Sequence, residues 1–254
     1  MLEGNLALKV SNLGKTFRRQ FHNHSLCALN NVSLEVPTGM VLGVMGPNCA
    51  GKSTLIHLCL GLLKPSTGSI QVFGLPLADI PRPSRISAIL QTANIPAYLS
   101  PREVLFFLGS LAFVPEEILE ARINHVLEKV KLQDRKNDPT GDFSRGMLQR
   151  LLIAQGMLAD PDLLFLDEPS ESLDMDGIQM LLDWIHERKV AGKTSVLASH
   201  DLKLVERSSD QIALLQKGLL SEPKTLCKWT NNGIIELGEA IRRYPDPSQA
   251  KSPQ

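Results

Sequence analysis

Gly46-Pro47-Asn48-Cys49-Ala50-Gly51-Lys52-Ser53-Thr54 fits the pattern G-x-x-x-x-G-K-[ST] without a mismatch. A triphosphate needs a concave ring of backbone N–H donors, a cation across its outer oxygens and a hydroxyl for magnesium, and this stretch offers each of them. Before it, Met40-Val41-Leu42-Gly43-Val44-Met45 is the short apolar run of a buried parallel strand, and residues 52–60 read as the helix that follows. The spacing predicts a loop at a strand end that feeds phosphates to a helix N-terminus. Gly46 and Gly51 permit the backbone angles and close approach that a side chain would block. Lys52 is assigned to the β and γ phosphates and Ser53 to magnesium, while Pro47, Asn48, Cys49, Ala50 and Thr54 complete the loop.

The frame around this loop is ordinary. The chain has 254 residues and 43% hydrophobic content, ample for one large α/β domain or two small ones. Its 27 basic and 27 acidic residues balance, so no global field recruits nucleic acid or anionic lipid, and no nucleic-acid partner is expected. The longest membrane-like run, residues 104–114, is well short of the roughly 20 residues that span a bilayer. Met1-Leu2-Glu3-Gly4 lacks a basic segment followed by an apolar one, which makes cytosolic residence the expectation. Cys27, Cys49, Cys59 and Cys227 show no C-x-x-C spacing and read as free thiols rather than zinc ligands.

Downstream, Asp162-Leu163-Leu164-Phe165-Leu166-Asp167-Glu168-Pro169 is an apolar strand ending in two carboxylates, after a helix-length stretch over 145–158. This is the Walker B arrangement. A strand beside the phosphate loop delivers Asp167 to the magnesium sphere, and Glu168, one residue further on, is the candidate general base. Alone, an Asp-Glu-Pro turn capping a buried strand would be the simpler account. A phosphate loop upstream reverses that order.

These residues carry a resemblance: over nearly its whole length the chain resembles the ATP-binding subunit of an ATP-binding cassette (ABC) transporter. In that family a signature precedes Walker B, and Phe143-Ser144-Arg145-Gly146-Met147-Leu148-Gln149-Arg150 occupies its place. Ser144 suits the N-cap of the helix that follows, whose first N–H groups form an anion site. The resemblance implies a head-to-tail dimer in which Ser144, Arg145, Gly146 and Met147 of one chain cover the γ-phosphate held by the other. It leaves open whether the two ATP-binding subunits are identical. It also implies that Gln91 contacts magnesium or the attacking water and senses a transmembrane permease subunit, and that His200 contacts the γ-phosphate. Asp174, in Ser172-Leu173-Asp174, matches the D-loop linking the two sites, and a helix N-cap there is compatible with that role. Phe17 lies where the family stacks an aromatic on adenine, and Phe21 competes for the place. Cys49 replaces a glycine often found in the loop, yet its backbone N–H remains available. Arg145 and Met147 depart from the commonest signature, L-S-G-G-Q, and resemble the S-[KR]-G-M type of exporter ATPases. Arg145 adds a cation near the partner's phosphate.

The predicted fold is α/β, a P-loop NTPase core with a parallel sheet, an N-terminal antiparallel β subdomain and an inserted helical subdomain. Residues 6–10 and 32–36 alternate as antiparallel strands do, and strand and helix alternate from Met40 onward. Between Gln91 and Phe143 only helical periodicity remains, with Pro101 and Pro115 as early helical residues. This helical stretch resembles the family's inserted helical subdomain, and the resemblance implies one ATPase domain over 1–244 with that subdomain spanning about 92–160. A strand over 211–215 and a helical segment over 233–244 close the domain, and 245–254 reads as a disordered tail with no regulatory module. The implied activity is magnesium-dependent hydrolysis of ATP, powering transport from the cytoplasmic face of a membrane. The rival is a soluble single-cassette ATPase of cofactor or complex assembly. A metabolite kinase would leave the signature, D-loop and His200 unexplained.

Overall fold

The computed structural model describes residues 6–18, 25–80, 85–91 and 95–225. In chain order these form β1 (Leu6–Arg18), β2 (Ser25–Pro37), β3 (Val41–Met45), α1 (Lys52–Cys59), β4 (Thr67–Val72), β5 (Leu75–Pro76) and β6 (Ile86–Ile89). Then come α2 (Pro101–Leu111), α3 (Glu116–Lys129), α4 (Arg145–Ala159), β7 (Leu163–Asp167), α5 (Met175–Val190) and β8 (Thr194–Ser199). The described part ends with α6 (Leu202–Ser208), β9 (Gln211–Gln216), β10 (Leu219–Leu220) and β11 (Lys224–Thr225). Phe21, Cys227, the expected helix at 233–244 and the tail at 245–254 lie outside the described residues.

Two sheets result. β2, β1, β4 and β5 form an antiparallel sheet in that order. The second runs β10-β9-β3-β8-β7-β6, with β6, β7, β8, β3 and β9 mutually parallel and the short β10 and β11 antiparallel to β9. The antiparallel strands are much longer than the 6–10 and 32–36 of the sequence reading, because their outer halves are held by cross-strand pairing. β4 and β5 were not anticipated there.

Alternation along the parallel strands explains why every position of β3, β7 and β8 is buried. Val41, Met45, Leu164, Leu166, Leu197, Ile212 and Leu214 face one apolar core together with residues of α2 to α6. Leu42, Val44, Leu163, Phe165, Val196, Ala198, Ala213 and Leu215 face the other, shared with α1 and the antiparallel sheet. Between the two cores the strand ends, with the loops that leave them, are fixed.

The helical segment follows its local signals. Ser100 accepts from Glu103 N at 3.3 Å and Glu103 returns the bond to Ser100 N at 2.8 Å, so α2 starts at Pro101 with a complete capping box. Pro115 departs from expectation: it is extended, at φ −55° and ψ 135°, and precedes α3 instead of joining it. Ile118 is half exposed, while Leu119, Ile123, Val126, Leu127 and Val130 are buried against α2 and α4.

α5 is tied to the sheet by one buried cation. Arg188 donates to Pro161 O at 3.0 Å, Thr194 O at 3.2 Å and Ser195 Oγ at 3.3 Å, and Asp160 Oδ1 lies 3.5 Å away. Burial lowers its pKa to about 10, against the pull of Asp160 and Asp162. Arg188→Met keeps the apolar stem and strands these acceptors. Urea titration is expected to show a loss of about 3 kcal/mol with an unchanged m-value.

Candidate functional site

The phosphate loop joins β3 to α1. Gly51 takes φ 111° and ψ 6° at the N-cap of α1, a conformation that L side chains resist. A Cβ at Gly46 would lie 2.0 Å from the carbonyl oxygen of Leu215, so this turn seats directly on β9. α1 has no side-chain cap, which leaves its first N–H groups open to an anion. Lys52 is buried and curls back to donate to Gly46 O at 2.7 Å and Pro47 O at 3.1 Å.

β7 carries the two carboxylates to the same place. Asp167 is 2% exposed, and its Oδ1 has no hydrogen-bond partner. Burial raises its pKa and the Glu168 charge adds to the rise, while a hydrogen bond from Ser53 opposes both. A buried, unpartnered carboxylate oxygen beside a hydroxyl fits a hard cation. Magnesium suits the pair, because it takes one or two protein oxygens and completes its shell with water and phosphate.

Glu168 adopts φ 48°, a strained value for a non-glycine residue. Its two carboxylate oxygens are treated differently: Oε2 is hydrogen-bonded, while the buried Oε1 has an ion-pair neighbour and no hydrogen bond. Oε2 accepts from Ser199 Oγ at 3.0 Å and His200 N at 3.2 Å, and lies 2.9 Å from His200 Nδ1. Oε1 sits 3.1 Å from Lys52 Nζ. Burial alone would raise its pKa, yet His200, Lys52 and Ser199 together hold it below the ordinary glutamate value. The group is thus an ionised base whose neighbours are ready-made donors.

A cleft of about 670 Å³ opens over these groups, lined by residues 48–54, Phe17, Leu26, Cys27, Gln91, Glu168, Glu171 and His200 among others. Phe17 and Leu26 are opposed across β1 and β2 and both are exposed, forming an apolar shelf on the cleft wall. Lys15 Nζ stands 5.0 Å from the Phe17 ring. Gln91 reaches the cleft, where its amide donates to Glu171 Oε2 at 2.6 Å. A larger cleft of about 1040 Å³, lined by Lys9, Arg85, Asp162 and Lys193 among others, contains none of these groups.

Ser144, Arg145, Gly146, Met147 and Asp174 do not line the cleft of their own chain. Ser144 caps α4, accepting from Met147 N at 3.3 Å, and Asp174 caps α5, accepting from Gly177 N at 2.8 Å. Sequence reasoning missed Ser199, Glu171 and Leu26. Ser199 sits next to His200 at a strand end and could have been noticed; Leu26 became visible only through its register with Phe17.

Residues 29–171 match the family model described as ABC transporter. The chain belongs to the ABC transporter family. It carries that family's ATP-binding domain. An uncharacterised ABC transporter ATP-binding protein of Nostoc is 37% identical over 83% of this chain and 64% of its own length. The Nod factor export ATP-binding protein I of Rhizobium meliloti is 33% identical, over 75% of this chain and 57% of its own length. The methionine import ATP-binding protein MetN of Haemophilus ducreyi is 32% identical, over 91% and 69%. The ABC domain therefore spans about three-fifths of the length of the first two. Among solved structures, an ATP-binding subunit of an ABC transporter superposes with TM-score 0.83 at 28% identity, covering 93% of this chain and all of that one. Among the described residues no helix is long and apolar enough to cross a membrane.

Cys49 lies within the phosphate loop. It sits at φ 63° with its thiol exposed. Cys59 is buried, and burial pushes its thiol up to about 12, so it is inert to alkylation at neutral pH. In a Cys27→Ser background, which removes the other exposed thiol on the cleft, maleimide is expected to label Cys49 and to weaken binding of a fluorescent ATP analogue by at least about tenfold. Cys49→Gly should bind the analogue and resist that loss; equal sensitivity of the variant would exclude Cys49 as the cause.

Proposed function

We propose that the chain is the ATP-hydrolysing subunit of an ABC exporter, working as a dimer on the cytoplasmic face of a membrane with a separate transmembrane permease subunit. The observation that carries the hydrolytic part is the buried Glu168, ionised and ringed by Ser199, His200 and Lys52 beside the phosphate loop. Gly46 to Thr54 hold the triphosphate, and Phe17 supplies the shelf for adenine. Ser53 and Asp167, with Gln91 nearby, hold magnesium. When bound, the metal neutralises charge on the outer phosphate oxygens.

Lys52 leaves the Gly46 and Pro47 carbonyls for the phosphates. That move frees Oε1 of Glu168 to accept the proton of water. His200 keeps the Glu168 carboxylate aimed while its exposed imidazole faces the γ-phosphate. The first turn of α4, from Ser144 to Met147, covers the partner chain's triphosphate, with Asp174 linking the two sites. Its absence from the cleft of its own chain supports this arrangement. Because one phosphate ties both chains, ATP favours the closed dimer and its cleavage reopens it. A single domain over 1–244, with the helical subdomain at about 92–160, completes the proposal.

Export as the direction is supported by the Ser144-Arg145-Gly146-Met147 signature. The test is a tagged pull-down from detergent-solubilised membranes, using Glu168→Gln and ATP to hold the complex. Recovery of a polytopic membrane protein supports transport and identifies the cargo-selecting subunit. Recovery of soluble partners alone replaces it with the assembly ATPase.

A further inference from the structure

The first two turns of α4 are fastened to the segment between β7 and α5 of the same chain. Gln149 is buried and donates to Pro169 O at 2.9 Å. Gly146 approaches so closely that a Cβ would lie 2.8 Å from Ser172 O. Arg150, also buried, donates from Nη2 to Asp174 Oδ1 at 2.6 Å and from Nη1 to Val130 O at 3.3 Å. Asp174 Oδ1 is also the acceptor for Gly177 N at 2.8 Å. One guanidinium therefore joins the C-terminal end of α3, the helix that bears the signature and the cap of α5.

That junction lies between the two halves of the chemistry. Residues 169–174 follow Glu168 directly, and Ser144 to Met147 precede Gln149 and Arg150. A planar fork can hold a carboxylate and a carbonyl at fixed angles; an ammonium, a single point charge, can hold only one of them at that reach. We propose that Arg150 is a positioning residue for hydrolysis: it sets residues 169–174, and with them Glu168, against the signature turn. The assignment rests on the hydrolytic reading above.

The Asp174 side chain is 69% exposed and stays hydrated when unpaired, but Val130 O loses its buried donor, so a modest loss of stability accompanies the substitution. Full-length Arg150→Gln, Arg150→Lys and the parent are compared by binding of a fluorescent ATP analogue, by kcat and KM for Mg-ATP, and by hydrogen exchange. For Arg150→Gln the expected result is binding and KM within about threefold, kcat lowered about tenfold to a hundredfold, and faster exchange confined to residues 169–177. Arg150→Lys should recover part of kcat. An unchanged kcat overturns the proposal. So does a joint loss of binding and kcat with faster exchange throughout α4, which would make Arg150 a strut of the fold. A parent chain that binds the analogue but hydrolyses nothing would refute the hydrolytic reading instead, and unchanged exchange over 169–177 in Arg150→Gln would then still overturn the positioning.

Discussion

Glu168→Gln is expected to lower the rate of phosphate release by about 10²–10⁴-fold while leaving nucleotide binding in place. The amide is nearly the same size and can still accept from Ser199 and His200, so the strained turn at φ 48° has no reason to relax. It cannot take a proton from water. Single-turnover phosphate release measures the step directly, and a variant that releases phosphate at the parent rate would remove Glu168 from the role of base. The pH dependence follows from the same contacts. Burial works to raise the Glu168 pKa, but His200, Lys52 and Ser199 outweigh it and hold the carboxylate below its ordinary range. A depressed folded pKa means the associated stability is present above the unfolded value of about 4.3 and is lost as pH falls through the folded one. The base is therefore ionised across the neutral range, and the acidic limb of kcat/KM should lie below that of a free glutamate.

The loop and the carboxylate pair were legible because both rest on local necessities. Glycines, a lysine and a hydroxyl occur at fixed spacing around a strand-to-helix turn, and the two acids end an apolar run whose burial on both faces leaves it no other place in the sheet. β3, α1 and β7 were found for that reason. What the sequence hid depends on register and distance. The pairing of Phe17 with Leu26 arises from the register of β1 on β2, which shifts at several points. The contact between Gln91 and Glu171 spans 80 positions. Arg150 reads as one more polar residue of an amphipathic helix, and only the packing of α4 against the turn after β7 turns it inward. Pro115 failed for a local reason: a residue with a fixed φ can begin a helix or lie just ahead of it, and an extended ψ put it ahead of α3.

Lys52→Met should have the second large effect, a loss of nucleotide affinity of about 10- to 100-fold, since one charge-assisted contact to phosphate is worth about 1.5–3 kcal/mol. Without nucleotide the ammonium is already held by Gly46 O, Pro47 O and Glu168 Oε1. Binding therefore exchanges partners, and the measured loss is the difference between the two sets. This makes Glu168→Gln informative a second time. Removing the carboxylate charge frees Lys52 from its ion pair, so the affinity for a non-hydrolysable ATP analogue should rise in Glu168→Gln, and that rise should vanish in the double variant with Lys52→Met. Isothermal titration of the four proteins closes the cycle. Additive effects would mean that the 3.1 Å pair does not compete with phosphate. A coupling that appears only when Lys52 is present would identify the same side chain as the lock on the general base and the ligand of the triphosphate.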